Sequence, residues 1–330
     1  MHPSFDLGLT TLPAYFTLLM VAITSAILLS HKEALRRGMD GNVILDLGLI
    51  VMACALIGAR LLHVIADGHF WEYVHLCTDP DLLPGLALSG GRRCVESAQC
   101  LHAGLGDICD NASGLCRQSR DCLRVFKIWY GGYVFYGGLG LCVPVGLWFL
   151  NKRGAQLWDI ADLAGWAIPV GLCIGRMGCF LAGCCYGGRT DSVFGLEFPR
   201  YSPAWHHHVT EGVITNTAEV SAAVHPTQLY EAGIAAILAV IGYWRHRRGN
   251  HFRGELLFQF LLGYGLFRIA VEFIRADDRG YWLGGFITTS QLVSLPVLAW
   301  ALWVLWRRAA WPWPIDPADS SEVQPLSEQR

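Results

Sequence analysis

Charge is scarce in this chain. Only 16% of its 330 residues are Asp, Glu, Lys or Arg, against roughly a quarter in a soluble domain. Hydrophobic residues make up 53%, there are 13 Trp, and mean hydropathy is +0.36. That balance argues against an ordinary soluble fold and for a polytopic membrane protein. A formal net charge of −2 offers no bulk basic surface, so nucleic acid is not an expected partner. Lys and Arg are also missing ahead of the first apolar run, and no small-residue cleavage site follows it. That run is therefore expected to stay attached rather than be removed as a signal peptide.

Crossing a bilayer takes about 17 to 25 apolar residues. Seven stretches qualify, near 13–30, 43–66, 133–150, 159–181, 227–244, 255–274 and 286–306. Lys and Arg concentrate in cytoplasmic connections. They follow the first span (Lys32, Arg36, Arg37), the third (Lys152, Arg153), the fifth (Arg245, Arg247, Arg248, Arg253) and the seventh (Arg307, Arg308). The expected fold is thus an all-α integral membrane protein of seven transmembrane helices, N-terminus outside and C-terminus cytoplasmic. Residues 1–66 carry two helices, 67–132 an outer insert, 133–306 the other five, and 307–330 a Pro-, Asp-, Ser- and Glu-rich tail expected to be disordered.

Cysteine usage agrees with this orientation. Six of the 12 Cys, from Cys77 to Cys122, fall in the outer insert, where an oxidising compartment lets an even set pair. The spacing Cys94-x5-Cys100 recurs as Cys116-x5-Cys122. A small disulfide-stapled module is expected, with its connectivity left open.

Ionisable groups within a span are costly and so mark candidate functional positions. Arg60, Arg176 and Arg268 all fall in the outer third of their spans at about 1.5 Å per residue. Tyr15, Tyr136 and the stretch HPTQLYE, from His225 to Glu231, open the spans that run the other way and sit at the same depth. Arg268, Glu272 and Arg275 stand at i, i+4 and i+7, where Glu272 can pair with either Arg. Guanidinium forks at headgroup depth suit a phosphate, and a phospholipid supplies one there. The competing reading has Arg60 and Arg176 simply lock the bundle onto carboxylates or helix-end carbonyls.

The Gly-rich run GRMGCFLAGCCYGG, Gly175 to Gly188, closes the fourth span. It resembles the signature of the prolipoprotein diacylglyceryl transferase family, bacterial inner-membrane enzymes that move a diacylglyceryl group from phosphatidylglycerol to the lipobox Cys of a prolipoprotein. Gly58-Ala59-Arg60-Leu61, Gly137-Gly138-Leu139, HPTQLYE and Tyr264-Gly265-x-x-Arg268 with Glu272-Phe273 and Arg275 match in the same order. The resemblance implies that Arg176 and Arg268 hold the headgroup phosphate. It places Tyr15, Tyr264 and Glu272 near the site, Gly178 and Gly187 at signature glycines, and Arg60, Gly137 and Gly138 in substrate-binding motifs. It also implies phosphatidylglycerol, a prolipoprotein signal peptide and membrane lipid as partners, with no cofactor.

Departures fall at the chemistry. Tyr136 stands where the family usually has His, and Cys179 and Cys184 stand where it has Asn and Glu. The chain is therefore a variant with the same reaction, or a paralogue with another acceptor or a non-catalytic lipid-binding role. For a thiol attacking a glyceryl carbon, Tyr136 and His225 are the candidate bases. An imidazole is better matched than a phenol to a base at neutral pH. Cys179, Cys184 and Cys185 read, in order, as apolar packing, a disulfide or thiol relay, or a metal site, since C-x4-C-C lacks paired C-x2-C spacing; no metal ligand is assigned. A membrane thiol oxidoreductase using Cys184 and Cys185 is the rival from another class.

Overall fold

The computed structural model describes residues 4–6, 11–66, 70–85, 93–97, 100, 108–110, 112–127, 133–249, 251–275, 281–282 and 287–310. Residues 311–330 of the tail expected to be disordered, and residues 128–132 ahead of the third span, lie outside these residues. Lipid cannot satisfy backbone donors, so apolar chain closes its hydrogen bonds within helices. The helices are α1 (Ala14–Arg36), α2 (Gly41–Ala66), α3 (Phe70–Thr78), α4 (Phe135–Lys152), α5 (Leu157–Ala182), α6 (Pro203–Thr210), α7 (Thr227–Arg248), α8 (Glu255–Glu272) and α9 (Thr289–Ala310). All but α3 and α6 coincide with one of the apolar stretches. By length and composition, α1, α2 and α5 are long and apolar enough to cross a membrane. Strand among the described residues is confined to three short antiparallel hairpins. They pair β1 (Ser4–Asp6) with β2 (Thr11–Pro13), β3 (Ile108–Asp110) with β4 (Leu115–Arg117), and β5 (Tyr281–Trp282) with β6 (Ile287–Thr288).

The chain forms two compact units, Met1–Ile44 with Gln156–Arg330, and Leu45–Ala155. In the first, α5 packs on α1, α7 and α8, and α8 packs on α9. Small residues permit the close crossings that lipid-embedded helices rely on. A Cβ on Gly165 would overlap the backbone of Leu256, which brings α5 against α8 with nothing between. Ala34, Ile44, Leu163, Trp166, Ala167 and Leu256 form the core beside this crossing. Asp162 accepts from the backbone N–H groups of Gly254 (2.8 Å) and Leu256 (3.0 Å). One buried carboxylate thereby satisfies two orphan donors at the start of α8 and complements its dipole.

In the second unit, α2 and α4 meet at Gly58 and Gly137, where a Cβ on either would overlap the other's carbonyl oxygen. The insert carries three disulfides, Cys77–Cys122, Cys94–Cys109 and Cys100–Cys116. Strands β3 and β4 pair with Cys109 opposite Cys116. The two Cys-x5-Cys pairs are accordingly not equivalent, because the hairpin register sets which partner each sulfur reaches. At the hairpin turn Asp110 accepts from Ser113 Oγ (2.7 Å) and the Ala112 N–H (3.1 Å). These bonds hold its carboxyl below the ordinary carboxylate range.

Candidate functional site

Helix α5 ends at Gly183, whose φ of 71° is the left-handed conformation that glycine adopts without strain. The chain then turns back, with the Cys184 N–H donating to the Cys179 carbonyl at 3.1 Å. Thr227 Oγ1 donates to the Cys185 carbonyl and Gln228 Nε2 to the Cys184 carbonyl, each at 2.7 Å. Both donors are fully buried. The first turn of α7 thus clamps the signature loop from below. Gly187 donates to the His225 carbonyl at 2.8 Å. A Cβ there would fall 2.7 Å from the Ile274 carbonyl oxygen and 2.9 Å from the His225 Cβ, so only glycine fits. Gly178 is under a similar constraint on α5 itself, where a Cβ would meet Leu18 Cβ at 3.2 Å and the Tyr15 carbonyl oxygen at 3.4 Å.

Glu231, one turn further along α7, has no exposed surface. Its Oε2 lies 2.6 Å from Arg176 Nη2 and its Oε1 2.8 Å from Arg275 Nη1. Tyr264 donates its hydroxyl to the same carboxylate at 3.3 Å. Arg268 pairs with Glu272 at 2.6 Å and donates to Ser290 Oγ of α9 at 2.9 Å. Tyr264 lies within the electrostatic reach of both Arg176 and Arg268. The structure therefore gathers Arg176, Tyr264, Arg268 and Glu272 around one buried set of charges, with Tyr15 of α1 meeting Gly178 of α5 beside Arg176. Three guanidiniums share two carboxylates, so the set retains one surplus positive charge and suits an anion.

Glu272 pairs with Arg268 and not with Arg275, because α8 ends at Glu272 and Arg275 has left the helical face. Arg275 instead forms a β-bridge with Gly187, and its side chain, 2% exposed, turns to Glu231. Sequence reasoning gave Glu231 no role of its own and Arg275 only that of a possible partner of Glu272. The signal for Glu231 was present, since it is the only carboxylate of HPTQLYE. For Ser290 no sequence signal exists. His225 sits on the backbone that pairs with the signature loop, its Nδ1 3.4 Å from the Tyr230 hydroxyl.

The remaining expected residues belong to the second unit. Tyr136 is half-buried at the start of α4 with its ring edge-on to Phe135. Gly137 and Gly138 form the close face toward α2, with a Cβ on Gly138 meeting the Ala55 carbonyl oxygen at 3.0 Å. Arg60 is buried and donates to the carbonyls of Val125 (3.0 Å) and Arg124 (2.8 Å), with its guanidinium 5.3 Å from the centre of the Tyr73 ring. Its fork thus ties α2 to the end of the insert.

The sulfurs of Cys179, Cys184 and Cys185 lie within 4.8 Å of one another. Hydrogen bonds from Cys179 and Cys184 hold the Cys185 thiol below its usual range, and Arg176 and Arg275 add to the effect against the opposing influence of burial. The same bonds push Cys184 up, as does burial. Within the trio the deprotonated form is thus favoured at Cys185 over Cys184.

A family model described as prolipoprotein diacylglyceryl transferase matches residues 3–96 and 115–307. The gap falls inside the insert. The phosphatidylglycerol–prolipoprotein diacylglyceryl transferase of Xylella fastidiosa (strain 9a5c) is 32% identical over 220 residues, covering 61% of this chain and 71% of that protein. The proteins of the same name from Stenotrophomonas maltophilia (strain R551-3) and Solidesulfovibrio magneticus are 34% and 35% identical, over 56% and 57% of this chain and 64% and 65% of theirs.

Proposed function

The chain belongs to the prolipoprotein diacylglyceryl transferase family, and on that premise we propose that it transfers the diacylglyceryl group of phosphatidylglycerol to the lipobox Cys thiol of a prolipoprotein. The observation that carries the assignment of the site is the buried Glu231 carboxylate, which holds Arg176 and Arg275 while Arg268 stands on its own partner Glu272. Guanidiniums fixed in this way are preorganised donors, worth most at the point where charge develops and water is scarce.

In the reaction the acceptor thiolate attacks a glyceryl carbon, the carbon–oxygen bond to phosphate breaks, and glycerol phosphate leaves with the bonding electrons. Arg176 and Arg268 bind the phosphate and stabilise the charge it gains. Tyr264, between them, orients the headgroup, and Glu231 and Glu272 keep the forks in place. His225 takes the thiol proton, which ordinarily leaves near pH 8.5; Tyr136 is the alternative acceptor of that proton. Gly178 and Gly187 let α1 and the loop approach closely enough to wall the site.

The enzyme resides in the bacterial inner membrane, crosses it seven times and faces outward at its N-terminus. Three basic residues at helix ends support this orientation. Lys152, Arg248 and Arg307 each lie over a Trp one turn earlier, Trp148, Trp244 and Trp303, at 5.1, 3.6 and 5.2 Å from the ring centre. Such Trp and Lys/Arg pairs mark a membrane interface, and the basic partner marks its cytoplasmic side. The deciding experiment is complementation of a bacterial strain lacking its own transferase, scored by lipidation of a reporter prolipoprotein. Lipidation that disappears with Arg176→Ala and with Arg268→Ala supports the proposal. Absence of lipidation by the wild-type chain despite membrane expression overturns it in favour of a paralogue with another acceptor or a lipid-binding role.

A further inference from the structure

Transfer of a lipid to a thiol on another protein needs no cysteine of the enzyme, yet three sit together at the turn that ends α5. Their sulfurs converge from Cys179 in the last turn of α5 and from Cys184 and Cys185 just past it, all within 4.8 Å of one another. An ion about 2.3 Å from each of three sulfurs separates them by roughly 4 Å, so the three already stand close to a common centre. Cys179 is buried and its two companions half-buried, which shields the centre from bulk water.

Backbone geometry supports a built site. Cys185 has φ 63°, a conformation that costs a residue with a side chain and persists only where its surroundings hold it. What holds it is the clamp from Thr227 to its carbonyl and from Gln228 to that of Cys184. With both carbonyls tied to α7, the two side chains are turned back toward Cys179. The other oxygen of the clamping amide, Gln228 Oε1, is buried with no hydrogen-bond partner among the described residues, which leaves an oxygen donor beside Cys184. Arg176 and Arg275 act on Cys185 in the direction of the thiolate, and a coordinating divalent cation itself deprotonates the thiols it binds.

We propose that Cys179, Cys184 and Cys185 form a three-thiolate site for a thiophilic divalent cation, zinc being the natural occupant. Thiolates select soft or borderline d10 ions. Zinc also accepts three protein ligands with a fourth position left to water or another oxygen. Disulfide formation is the competing fate, and an odd set of three cannot be consumed by it without leaving a thiol behind. The inference is independent of lipid transfer, since it is read from metal content and thiol chemistry.

The test uses the full-length protein in detergent with its insert disulfides intact. The protein is stripped with a chelator, reloaded with zinc alone and assayed for bound metal. One zinc per chain is expected, together with thiolate-to-metal charge-transfer absorption when cadmium replaces it. Cys184→Ser and the triple Ser variant should bind at least tenfold more weakly, and Cys54→Ser should bind as wild type does. Because a Ser variant can lose metal by misfolding, alkylation of the wild-type chain gives a second readout. Zinc should protect Cys179, Cys184 and Cys185, located by peptide mapping, and leave Cys54 labelling unchanged. Zinc retained by the triple variant, no protection of the trio, or a disulfide between two of the three in protein isolated without reductant would each overturn the site.

Discussion

At Glu231 one carboxylate without exposed surface serves two guanidiniums and a phenol, so its loss strands two buried cations. Glu231→Gln should destabilise the folded protein by about 3–5 kcal/mol, read as a fall in the thermal midpoint in detergent, and Glu231→Asp should recover some of the loss. Removing Arg176 or Arg268 has a different signature. Arg176→Ala leaves Glu231 paired with Arg275 and should remain folded, whereas Arg268→Ala strands the buried Glu272 and is read beside the charge-keeping Arg268→Lys. In each the transfer rate should drop by about 100- to 1,000-fold or more, measured with labelled phosphatidylglycerol and a lipobox peptide. Cys185 provides a test in pH. Its thiol is held low, so it should already be ionised below the ordinary thiol range near 8.5. In metal-free protein its alkylation rate should rise less steeply between about pH 6 and 8 than the roughly tenfold per unit of an ordinary thiol; a rise of that full size at Cys185 would refute the assignment. Much of this was legible. Arg176, Arg268 and Glu272 stand out as charges inside apolar runs, and the i, i+4 spacing named the Arg268–Glu272 pair. The role of Arg275 was not legible, because where α8 ends decides whether a residue three positions on shares its face.

Among elements, the close crossings and the staples carry the tests. Gly137 leaves no room for a side chain against Gly58, so Gly137→Val should cost about 1–3 kcal/mol or more through overpacking, read from thermal unfolding. Breaking Cys100–Cys116, with a sequence separation of 16, should cost about 3 kcal/mol and make the insert sensitive to protease, while intact chain resists. The small-residue motifs were visible in sequence, and the apolar stretches match the long helices to within a few residues at most ends. The first helix departs most. It continues past Ser30 to Arg36 because HKEALR is helix-forming and buries Glu33 against Arg36, Arg37 and His246 at 3.3, 3.9 and 3.4 Å. The disulfide pairing was not visible, since six cysteines allow 15 connectivities and their spacing does not choose among them.

For the molecule as a whole, the proposed seven spans with an outward N-terminus make a sharp prediction. A periplasm-dependent phosphatase fused within the insert should be active, and a fluorescent reporter fused after Arg248 or after Arg330 should fold and fluoresce in the cytoplasm. The opposite pattern at either cytoplasmic site would invert the topology. The amino-acid order alone determined that this is a helical membrane protein, because bilayer thickness and the need to satisfy every backbone donor inside lipid act on each segment separately. It determined the family too, through short motifs whose glycines and arginines are local. Only the tertiary structure decided that Glu231 is shared by Arg176 and Arg275 and that the Arg60 fork goes to the carbonyls of Arg124 and Val125. Those outcomes depend on which segments distant in the chain come within bonding distance, and pairing across such separations is set by packing, which no local pattern encodes.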